Sequence, residues 1–475
     1  MLVQKKSTCM LCSVGCEFII ETIDDEAVNL EYDKDNPVTG GVLCAKGNYM
    51  LELINHPLRL IEPQINGKVV DWNEAIRKTS DELLAHREKS DAGIILAGDA
   101  SVEDAKTAEL FAETCLGTGR LAIYFATGDD TVQKALTMAS IPNRAAGLND
   151  IGKSTCTIAV GNPFEVGPVI AGKVLKARYA RRGNIFGVIS NKENMTSRFA
   201  TIHHYGNERK LLSQLLRVVA DRSEGDELGL KKLIKELIPA TENPDVVKLG
   251  EAFVKSPSSV LILETQDPVK AQLASAVVSV AGADKRLFCV NTYGNAKGIC
   301  EAVKSTVSVN EIITAVDHGV IKTLIVLGTD IVKGIPGRNI EAVLEKLDFL
   351  AVGAPFGNET KQSANVIFPT ALWLETEGIY NGKHLQPVID PPGAALPYGD
   401  ILRQLAEAMG KALPQVTPEP VEAPQQLNEE TLRVILKESM ETVPEPAVQS
   451  TVTQFADGSL TSNIQWLQLQ ERDAW

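Results

Sequence analysis

The chain has 475 residues with a formal net charge of -14, and 44% of its residues are hydrophobic and 23% charged. This composition is typical of a globular protein, and the length predicts several domains rather than one core. The acidic balance disfavours nucleic-acid binding, because phosphate contacts need concentrated Lys and Arg. We find neither a long apolar stretch nor a signal peptide, so we expect a cytoplasmic protein without a membrane span.

Half of the eight cysteines lie near the start of the chain. Cys9, Cys12 and Cys16 stand in STCMLCSVGCEF, and Cys44 follows in GVLCAKGNY. Four thiolates in this arrangement suit a [4Fe-4S] cluster, whose ligands are normally four cysteines. Two alternatives stay open. A zinc site more often has two CxxC pairs, and structural thiols or disulfides are disfavoured by the reducing compartment that we expect.

The hydrophobic patterns predict an α/β fold. A small unit of short strands, CEFIIETI and VNLEYDKD, comes first and ends near residue 60. Helical and strand patterns then alternate from WNEAIRKTSDELLAHREK to NIFGVISN, and again from SSVLILE to NVIFPTALWLETEG. Repeated βαβ order predicts parallel sheets with ligand sites at the carboxyl ends of their strands. We therefore expect a cluster domain at 1–60 and two Rossmann-like domains at 61–255 and 256–412.

The chain changes character from about residue 413. Six prolines follow, with one short helical pattern, NEETLRVILKES, among them. This composition predicts a Pro-rich extended tail over 413–475. Two hypotheses stay open for it: solvated disorder, or an arm that docks on a partner subunit. The second rests on Trp466 and Trp475, two of only four tryptophans, which are poorly accommodated in water.

Together these motifs resemble the molybdopterin-dependent oxidoreductases, especially formate dehydrogenase catalytic subunits and the large iron-sulfur subunit of respiratory complex I. The CxxCxxxC and CxKG motifs, followed by NHPLRLIEP and WNEA, carry the likeness at the start of the chain. Further along it is carried by TIAVGNPFEVGPVIAGKVLKARYARRG and FLAVGAPFGNETKQSANVIFPTALWLETEGIYNGKHLQP. The resemblance covers residues 1 to about 412. It implies the first three domains of the formate dehydrogenase/DMSO reductase-like fold.

The resemblance also implies individual site residues. Lys46 would be the electron relay between cluster and pterin, because a positive charge there stabilises an added electron. Gly161, Asn162 and Pro163 would form the turn from strand to helix at which backbone N–H groups receive a phosphate of a pterin dinucleotide. Positions expected near the second pterin or the closing loop are Asn358, Glu359, Thr360, Glu375, Glu377, Gly378 and Asn381. Simpler roles, a solvated lysine or capping and turn residues, stay open for Lys46 and the closing positions.

Three departures from the family pattern bear on catalysis. Active members have a metal ligand where LAIYFATGDDTVQKAL stands, but this segment has neither Cys nor His, and only Asp129 or Asp130 is a candidate. The strand NIFGVIS ends in NKENMTS, where the family usually has an acidic residue, Pro and Arg. The fourth domain, a β-barrel, has no counterpart. These departures favour a degenerate metal-pterin site.

We therefore expect an iron-sulfur subunit of a multi-subunit redox complex, with other iron-sulfur or flavin subunits as partners. Electrons would pass through its [4Fe-4S] cluster, and its own catalytic residues remain unassigned. One alternative is a catalytic subunit resembling formate dehydrogenase, in which a separate barrel subunit completes a molybdopterin guanine dinucleotide site with molybdenum or tungsten. A zinc-stapled interaction module without a redox role is the other.

Overall fold

A computed structural model describes residues 1–87, 91–125, 144–224, 229–265, 267–304, 306–335, 337–416 and 428–440. Within these ranges the strands, in chain order, are β1 Leu2–Thr8, β2 Glu17–Ile23, β3 Glu26–Tyr32, β4 Gln64–Ile65, β5 Lys68–Val69, β6 Ala92–Ala97, β7 Leu121–Tyr124, β8 Cys156–Val160, β9 Ile185–Ser190, β10 Ile202–Tyr205, β11 Ser259–Glu264, β12 Lys285–Val290, β13 Thr323–Leu327, β14 Phe349–Ala354, β15 Val366–Pro369, β16 Gly378–Tyr380 and β17 Lys383–Leu385.

The helices of the described ranges alternate with these strands. The α-helices are Ala45–Asn48, Met50–Ile54, Trp72–Arg87, Val102–Phe111, Leu148–Lys153, Pro163–Val166, Val169–Ala180, Glu208–Arg222, Lys231–Leu237, Pro244–Lys255, Pro268–Ala281, Ala296–Ala302, Val309–Asp317, Ile331–Gly334, Ile340–Leu344, Tyr398–Ala408 and Glu429–Met440. A π-turn at Ala112–Leu116 extends one helix, and short 3-10 turns lie at Ser197–Phe199, Thr360–Ser363 and Trp373–Glu375. In the described part of the chain, no helix has the length and apolar composition that crossing a bilayer requires.

A three-stranded antiparallel sheet, β1-β2-β3, opens the chain. Its core face comes from alternating residues of β2, Phe18 and Ile20, both of which are fully buried. Because Thr8 of β1 pairs with Glu17 of β2, the loop between these strands, residues 9–16, leaves and re-enters the sheet at one end. The Cys9 N–H donates to the Cys16 carbonyl at 2.8 Å and closes this loop, which carries three of the four predicted cluster ligands.

Two larger sheets confirm the predicted α/β class. The five-stranded sheet has the order β10-β9-β8-β11-β12 and is parallel throughout. The seven-stranded sheet has the order β5-β4-β15-β14-β13-β6-β7, in which the short β4 and β5 run antiparallel at one edge. Central strands such as β8 and β13 are buried along their whole length, which explains their continuous apolar sequences, CTIAV and TLIVL.

The connectivity of these sheets differs from the predicted division into 61–255 and 256–412. The five-stranded sheet joins β8, β9 and β10 to β11 and β12, which follow residue 255. The seven-stranded sheet joins β6 and β7 to β13, β14 and β15. Local helix and strand order is visible in the sequence, whereas the partner of a strand can lie 100 residues away. Each sheet therefore takes strands from both predicted domains.

Both sheets have a point at which the strand order reverses. It lies between β8 and β11 in the five-stranded sheet and between β6 and β13 in the seven-stranded sheet. At such a point the loops after the two central strands diverge and leave a crevice at their carboxyl ends, where α/β proteins bind ligands. We call these crevices the first and the second switch point.

Part of the predicted extended tail is folded against the chain. Helix Glu429–Met440 packs on helices Glu208–Arg222 and Pro268–Ala281. Its buried side chains, Leu432, Ile435 and Leu436, recur at helical spacing. The helix that NEETLRVILKES forms therefore covers the apolar surface of the helices that pack on the five-stranded sheet. Trp466 and Trp475 lie outside the described residues.

A buried ion pair joins the end of the N-terminal unit to residues 373–385, which we call the closing segment. Two guanidinium nitrogens of Arg59 donate to Glu375 Oε1 at 2.6 Å and Oε2 at 2.8 Å, and the two side chains are 4% and 1% exposed. The Leu372 N–H also donates to Glu375 Oε2, at 2.8 Å. This bidentate geometry satisfies the carboxylate and holds the two segments together.

Replacing one partner of this pair tests its structural role. We expect Glu375→Gln to lower the free energy of unfolding by about 3–5 kcal/mol, because the Arg59 charge is then buried without compensation. The matched control is Glu82→Gln, which removes a partner of Lys78 in a partly exposed helical pair and is expected to cost at most about 0.5 kcal/mol. Urea unfolding of both variants measures the difference, and equal losses would contradict the role assigned to Arg59 and Glu375.

Candidate functional site

The cysteine loop, residues 9–16, is clamped against the end of β12. The Ser13 N–H donates to the Asn291 carbonyl at 3.0 Å, and the Asn291 N–H donates back to Ser13 Oγ at 2.8 Å. The Gly294 N–H donates to the Met10 carbonyl at 2.9 Å. A Cβ at Gly294 would lie 2.6 Å from Met10 Cα, so this close main-chain approach requires glycine.

The closing segment holds the same loop from the other side. Trp373 Nε1 donates to the Thr8 carbonyl at 2.9 Å, and Asn381 Nδ2 donates to the Ser13 carbonyl at 3.4 Å. Asn295, which is fully buried, accepts from the Asn381 N–H at 2.8 Å and so links the closing segment to the end of β12. Sequence reasoning missed Asn295, because nothing in YGNAKG distinguishes a buried amide from a turn residue.

All four predicted cluster ligands line one pocket. Cys9, Cys12 and Cys16 are 5%, 6% and 5% exposed, whereas Cys44, which precedes the short helix Ala45–Asn48, is partly exposed. All four are free thiols. The other residues that line this pocket are Leu11, Val14, Leu43, Lys46, Gly47, Gly167, Pro168 and Val169. The pocket therefore brings together donors from the cysteine loop and from the CAKG turn.

The electrostatics of these thiols suit a cationic guest. Burial raises the pKa of Cys9 well above its usual range and raises that of Cys16 to about 12, and the neighbouring Cys12 adds to both shifts. Burial also raises the pKa of Cys12, although the Lys46 charge opposes this. Thiolates become favourable here only when metal charge compensates them, as at a metal-thiolate centre.

The donor set of four cysteines fits an iron-sulfur cluster. In the described part of the chain, no three His, Cys, Asp or Glu side chains are grouped so that they could hold one metal ion. Zinc needs its four ligands around one centre, whereas the cysteines of an iron-sulfur cluster surround a larger group. Four thiols that line one shared pocket are compatible with the second requirement.

Lys46 lies between this pocket and the first switch point. Its Nζ donates to the Val166 carbonyl at 3.2 Å and to the Leu11 carbonyl at 3.4 Å. Burial raises the pKa of Glu165, and the Lys46 ammonium group is one of the smaller effects that oppose this shift. Lys46 is therefore a structural bridge, not a solvated surface lysine.

A carboxylate occupies the predicted phosphate position at the first switch point. The Asn162 N–H donates to Glu264 Oε2 at 3.0 Å. Gly161 has a positive φ of 85°, and a Cβ there would overlap the Glu264 main chain. Pro163 begins the four-residue helix Pro163–Val166. Sequence reasoning missed Glu264, although an acidic residue at the end of SSVLILE, one strand across the crevice, was the available signal.

The loop after β9 closes over the same turn. Asn162 Oδ1 accepts from Thr196 Oγ1 at 2.8 Å and from the Thr196 N–H at 3.2 Å, and Asn162 Nδ2 donates to Glu165. Asn194 Nδ2 donates to the Gly161 carbonyl at 3.1 Å. The segment NKENMTS, which departs from the family pattern, thus fastens the turn through protein contacts.

Burial raises the pKa of Glu264, and the Asn162 N–H opposes the shift. The approach of Glu208 reinforces it, and Lys270, which pairs with Glu208 at 2.7 Å, opposes it. With Glu165 the crevice carries three carboxyl groups. Three cations, Lys46, Lys192 and Lys270, also lie near these carboxyl groups.

The second switch point is also acidic. A pocket there is lined by Asp99 and Asp104 from the region after β6, Gly328 after β13, and the buried Tyr380 and Tyr398. Burial raises the pKa of Asp99 to about 7, with a smaller contribution from Asp104. Asp99 Oδ1 is buried and has no hydrogen-bond partner among the described residues. Asp104 Oδ1 accepts from the Gly399 N–H at 2.7 Å.

Asn358, Glu359 and Thr360 form a turn around the Asp330 carboxylate. Asp330 accepts from the Glu359 N–H at 2.9 Å, the Thr360 N–H at 3.2 Å and Thr360 Oγ1 at 2.7 Å. Asn358 Oδ1 accepts from the Lys361 N–H at 2.9 Å. These contacts are the capping and turn roles that the sequence left open.

The remaining closing-loop positions do not gather at one place. Glu377 is exposed and accepts from Gln386 Nε2 at 2.8 Å. Gly378 packs on Ser101, where a Cβ would approach within 2.7 Å of the serine Cβ. Asn381 differs from Glu375, Glu377 and Gly378, because its side chain donates a hydrogen bond to the cysteine loop. Asp129 and Asp130 lie outside the described residues.

Comparison with known families agrees with this architecture. Residues 3–56 match the family model described as the molybdopterin oxidoreductase Fe4S4 domain, and residues 59–408 match that of molybdopterin oxidoreductase. The chain belongs to the molybdopterin oxidoreductase family. This membership confirms the predicted family and its two cofactor classes, a [4Fe-4S] cluster and molybdopterin.

Individual relatives of this molybdopterin oxidoreductase are distant. The F420-dependent formate dehydrogenase subunit alpha of Methanocaldococcus jannaschii is 24% identical, over 85% of this chain and 70% of its own length. The NADPH-Fe(3+) oxidoreductase subunit alpha of Geobacter sulfurreducens is 24% identical, over 84% of this chain and 55% of its own length. The solved structure of acetylene hydratase from Pelobacter acetylenicus has a TM-score of 0.61 at 14% identity, over 86% of this chain and 69% of that one, and supports the fold.

The cysteine pocket yields a prediction about metal content. We expect Cys12→Ser to remove iron and the visible charge-transfer absorption of anaerobically purified protein, and to destabilise the N-terminal unit, which depends on metal for folding energy. Cys300→Ser, far from the pocket in the chain and partly exposed, is the matched control and should keep about four irons per chain. Iron analysis decides, and unchanged iron in Cys12→Ser would rule out the assignment.

The second switch point yields a prediction about pH. The folded pKa of Asp99, about 7, lies above its ordinary value of 3.8, so its contribution to stability is present at low pH and is lost as pH rises toward 7. We expect the stability of the wild type relative to Asp99→Asn to fall by up to about 1.4 kcal/mol per pH unit between pH 4 and 7. Urea unfolding at several pH values measures this slope, and parallel profiles would contradict the buried, unpartnered carboxyl.

Proposed function

We propose that the chain is an iron-sulfur subunit of a multi-subunit redox complex and that its own metal-pterin site is degenerate. Cys9, Cys12, Cys16 and Cys44 bind the [4Fe-4S] cluster in this proposal, which supplies one-electron transfer when bound. Support for partner subunits comes from the relatives, whose names identify them as alpha subunits.

The observation that carries the proposal is the Glu264 carboxylate on the Asn162 N–H. This backbone donor stands where a parallel sheet offers its best anion site, after the central strand at the switch point. A carboxylate from the facing strand already satisfies it. A phosphate would have to displace Glu264 from this donor, because the N–H is already satisfied. Glu165 also lies beside the turn, although Lys192 and Lys46 offset its charge.

The second switch point supports the same reading independently. Asp99 and Asp104 line the pocket at the crevice of the other sheet, where anionic ligands would meet further carboxyl groups. Two crevices that each hold acidic side chains are poorly suited to two anionic dinucleotides. We infer that this fold serves as a scaffold for the cluster and for partner subunits.

In this function Lys46 is a positioning residue for the cluster. Its ammonium group, held by the Leu11 and Val166 carbonyls, remains beside the cysteine pocket and favours an added electron there. Cluster burial on the side of Cys9, Cys12 and Cys16 excludes water from the thiolates, while Cys44 remains toward the surface. The chain thus offers one buried and one accessible side for electron exchange.

Metal analysis and turnover of the isolated chain test this function. We expect about four irons per chain, no stoichiometric molybdenum or tungsten, and no formate oxidation with an artificial electron acceptor. The cluster should still accept an electron from dithionite, visible as bleaching of its absorption. The Cys12→Ser variant is the control and should show no bleaching.

Formate turnover with bound molybdenum or tungsten, sustained by the chain without partners, would overturn the proposal in favour of a catalytic subunit. It would also direct attention to Asp129 or Asp130 as metal ligand, since LAIYFATGDDTVQKAL contains no Cys or His. Stoichiometric zinc without iron would instead support the interaction module.

A further inference from the structure

The side of the cysteine pocket nearest to solvent lies at Cys44. Cys44 is partly exposed, whereas the three other thiols are buried. The loop before it presents two apolar side chains, Val38 and Val42, which are 38% and 53% exposed. Exposed aliphatic side chains beside a redox centre offer a dry contact surface for another protein.

A basic helix stands directly beside this loop. Val169 lines the cysteine pocket at the start of helix Val169–Ala180, and Lys173 on that helix donates to the Val38 carbonyl. Lys173, Lys176 and Tyr179 follow at i, i+3 spacing on the face away from the buried Val174. At a rise of 1.5 Å per residue, Tyr179 lies about 15 Å along the helix from Val169, which lines the pocket.

The charge of this surface contrasts with that of the chain. Residues 167–183 contain five cations and no carboxylate, in a protein with a net charge of -14. The cations are Lys173, Lys176, Arg178, Arg181 and Arg182. Among the residues that the structure describes, no acidic side chain forms an ion pair with any of them. Asp33 and Asp35, in the adjacent loop, interact with Lys6 instead.

We propose that two apolar side chains, Val38 and Val42, and the five cations of residues 173–182, the basic stripe, form a docking surface. Its partner is an acidic electron-carrier protein, which exchanges electrons at the Cys44 side of the cluster. This proposal rests on the proposed function. Charge complementarity identifies the partner, because a basic patch on an acidic protein attracts acidic surfaces and raises their encounter rate. The step is a single electron transfer: one electron leaves the reduced cluster and reduces the oxidised iron of the carrier, and no bond is formed or broken.

Charge reversal tests the surface in the full chain with its cluster. Lys176→Glu/Arg182→Glu changes two exposed side chains outside the cysteine pocket. The probe is an acidic plant-type [2Fe-2S] ferredoxin, and the readouts are its affinity by titration and its rate of reduction by stopped flow. At low ionic strength we expect the reversal to weaken binding and slow reduction at least about tenfold, and added salt to abolish most of the difference.

The matched control is Lys232→Glu/Lys248→Glu, an equal charge change at two exposed lysines. Helix Pro244–Lys255 packs in the apolar cluster that contains Ile158 and Val160 of β8. Val169 and Val174 of the basic helix pack in the cluster that contains Ala159. Because successive residues of a strand point to opposite faces, the two helices cover opposite faces of one sheet. This control should behave as wild type. A basic cytochrome c, as carrier of the opposite sign, should bind the stripe-reversed chain better than wild type.

The outcomes separate the two proposals. Equal ferredoxin affinity and rate in wild type and in the stripe reversal would overturn the docking surface while leaving the cluster's redox role intact. An equal loss in the Lys232/Lys248 control would also overturn it, since net charge alone would then explain the effect. A cluster that neither accepts an electron from dithionite nor donates one to a neutral quinone would overturn the proposed function itself.

Discussion

The main-chain contact between the cysteine loop and the end of β12 is the constraint on which the site depends. Gly294 and Asn291 bind the loop edge to edge, and only glycine permits the approach to Met10. Because these contacts already order the loop, binding a cluster costs less conformational entropy at its three cysteines. Lys46 donates to Leu11 of this loop and also to Val166, so the cluster pocket and the first switch point share one wall.

At both switch points, carboxyl groups of the chain lie at the carboxyl ends of the central strands. The Glu264 carboxylate accepts a hydrogen bond from the Asn162 N–H, and Asp99 lies in the equivalent crevice of the other sheet. These acidic side chains lie at strand ends and not in the buried apolar runs that build the sheets. In the proposed function, the same architecture supports electron relay through the cluster instead of chemistry at a pterin.

The sequence predicted the features that depend on local pattern. The cysteine spacing, the helix NEETLRVILKES and the buried strands such as CTIAV all have short-range signals. It could not predict that β8 pairs with β11, and therefore could not place Glu264 against Asn162, since strand partners are chosen by long-range packing. For the same reason it could not show that the Asp330 carboxylate accepts from the Glu359 and Thr360 N–H groups, which the resemblance places near a cofactor.

The central claim is that a side chain of the protein, and not a cofactor phosphate, occupies the first switch point. An experimental structure of the anaerobically purified chain, at a resolution that shows side chains, tests it most directly. We expect cluster density bound to Cys9, Cys12, Cys16 and Cys44, with the Glu264 carboxylate on the Asn162 N–H. Dinucleotide density on that N–H, with Glu264 displaced from the crevice, would contradict the account.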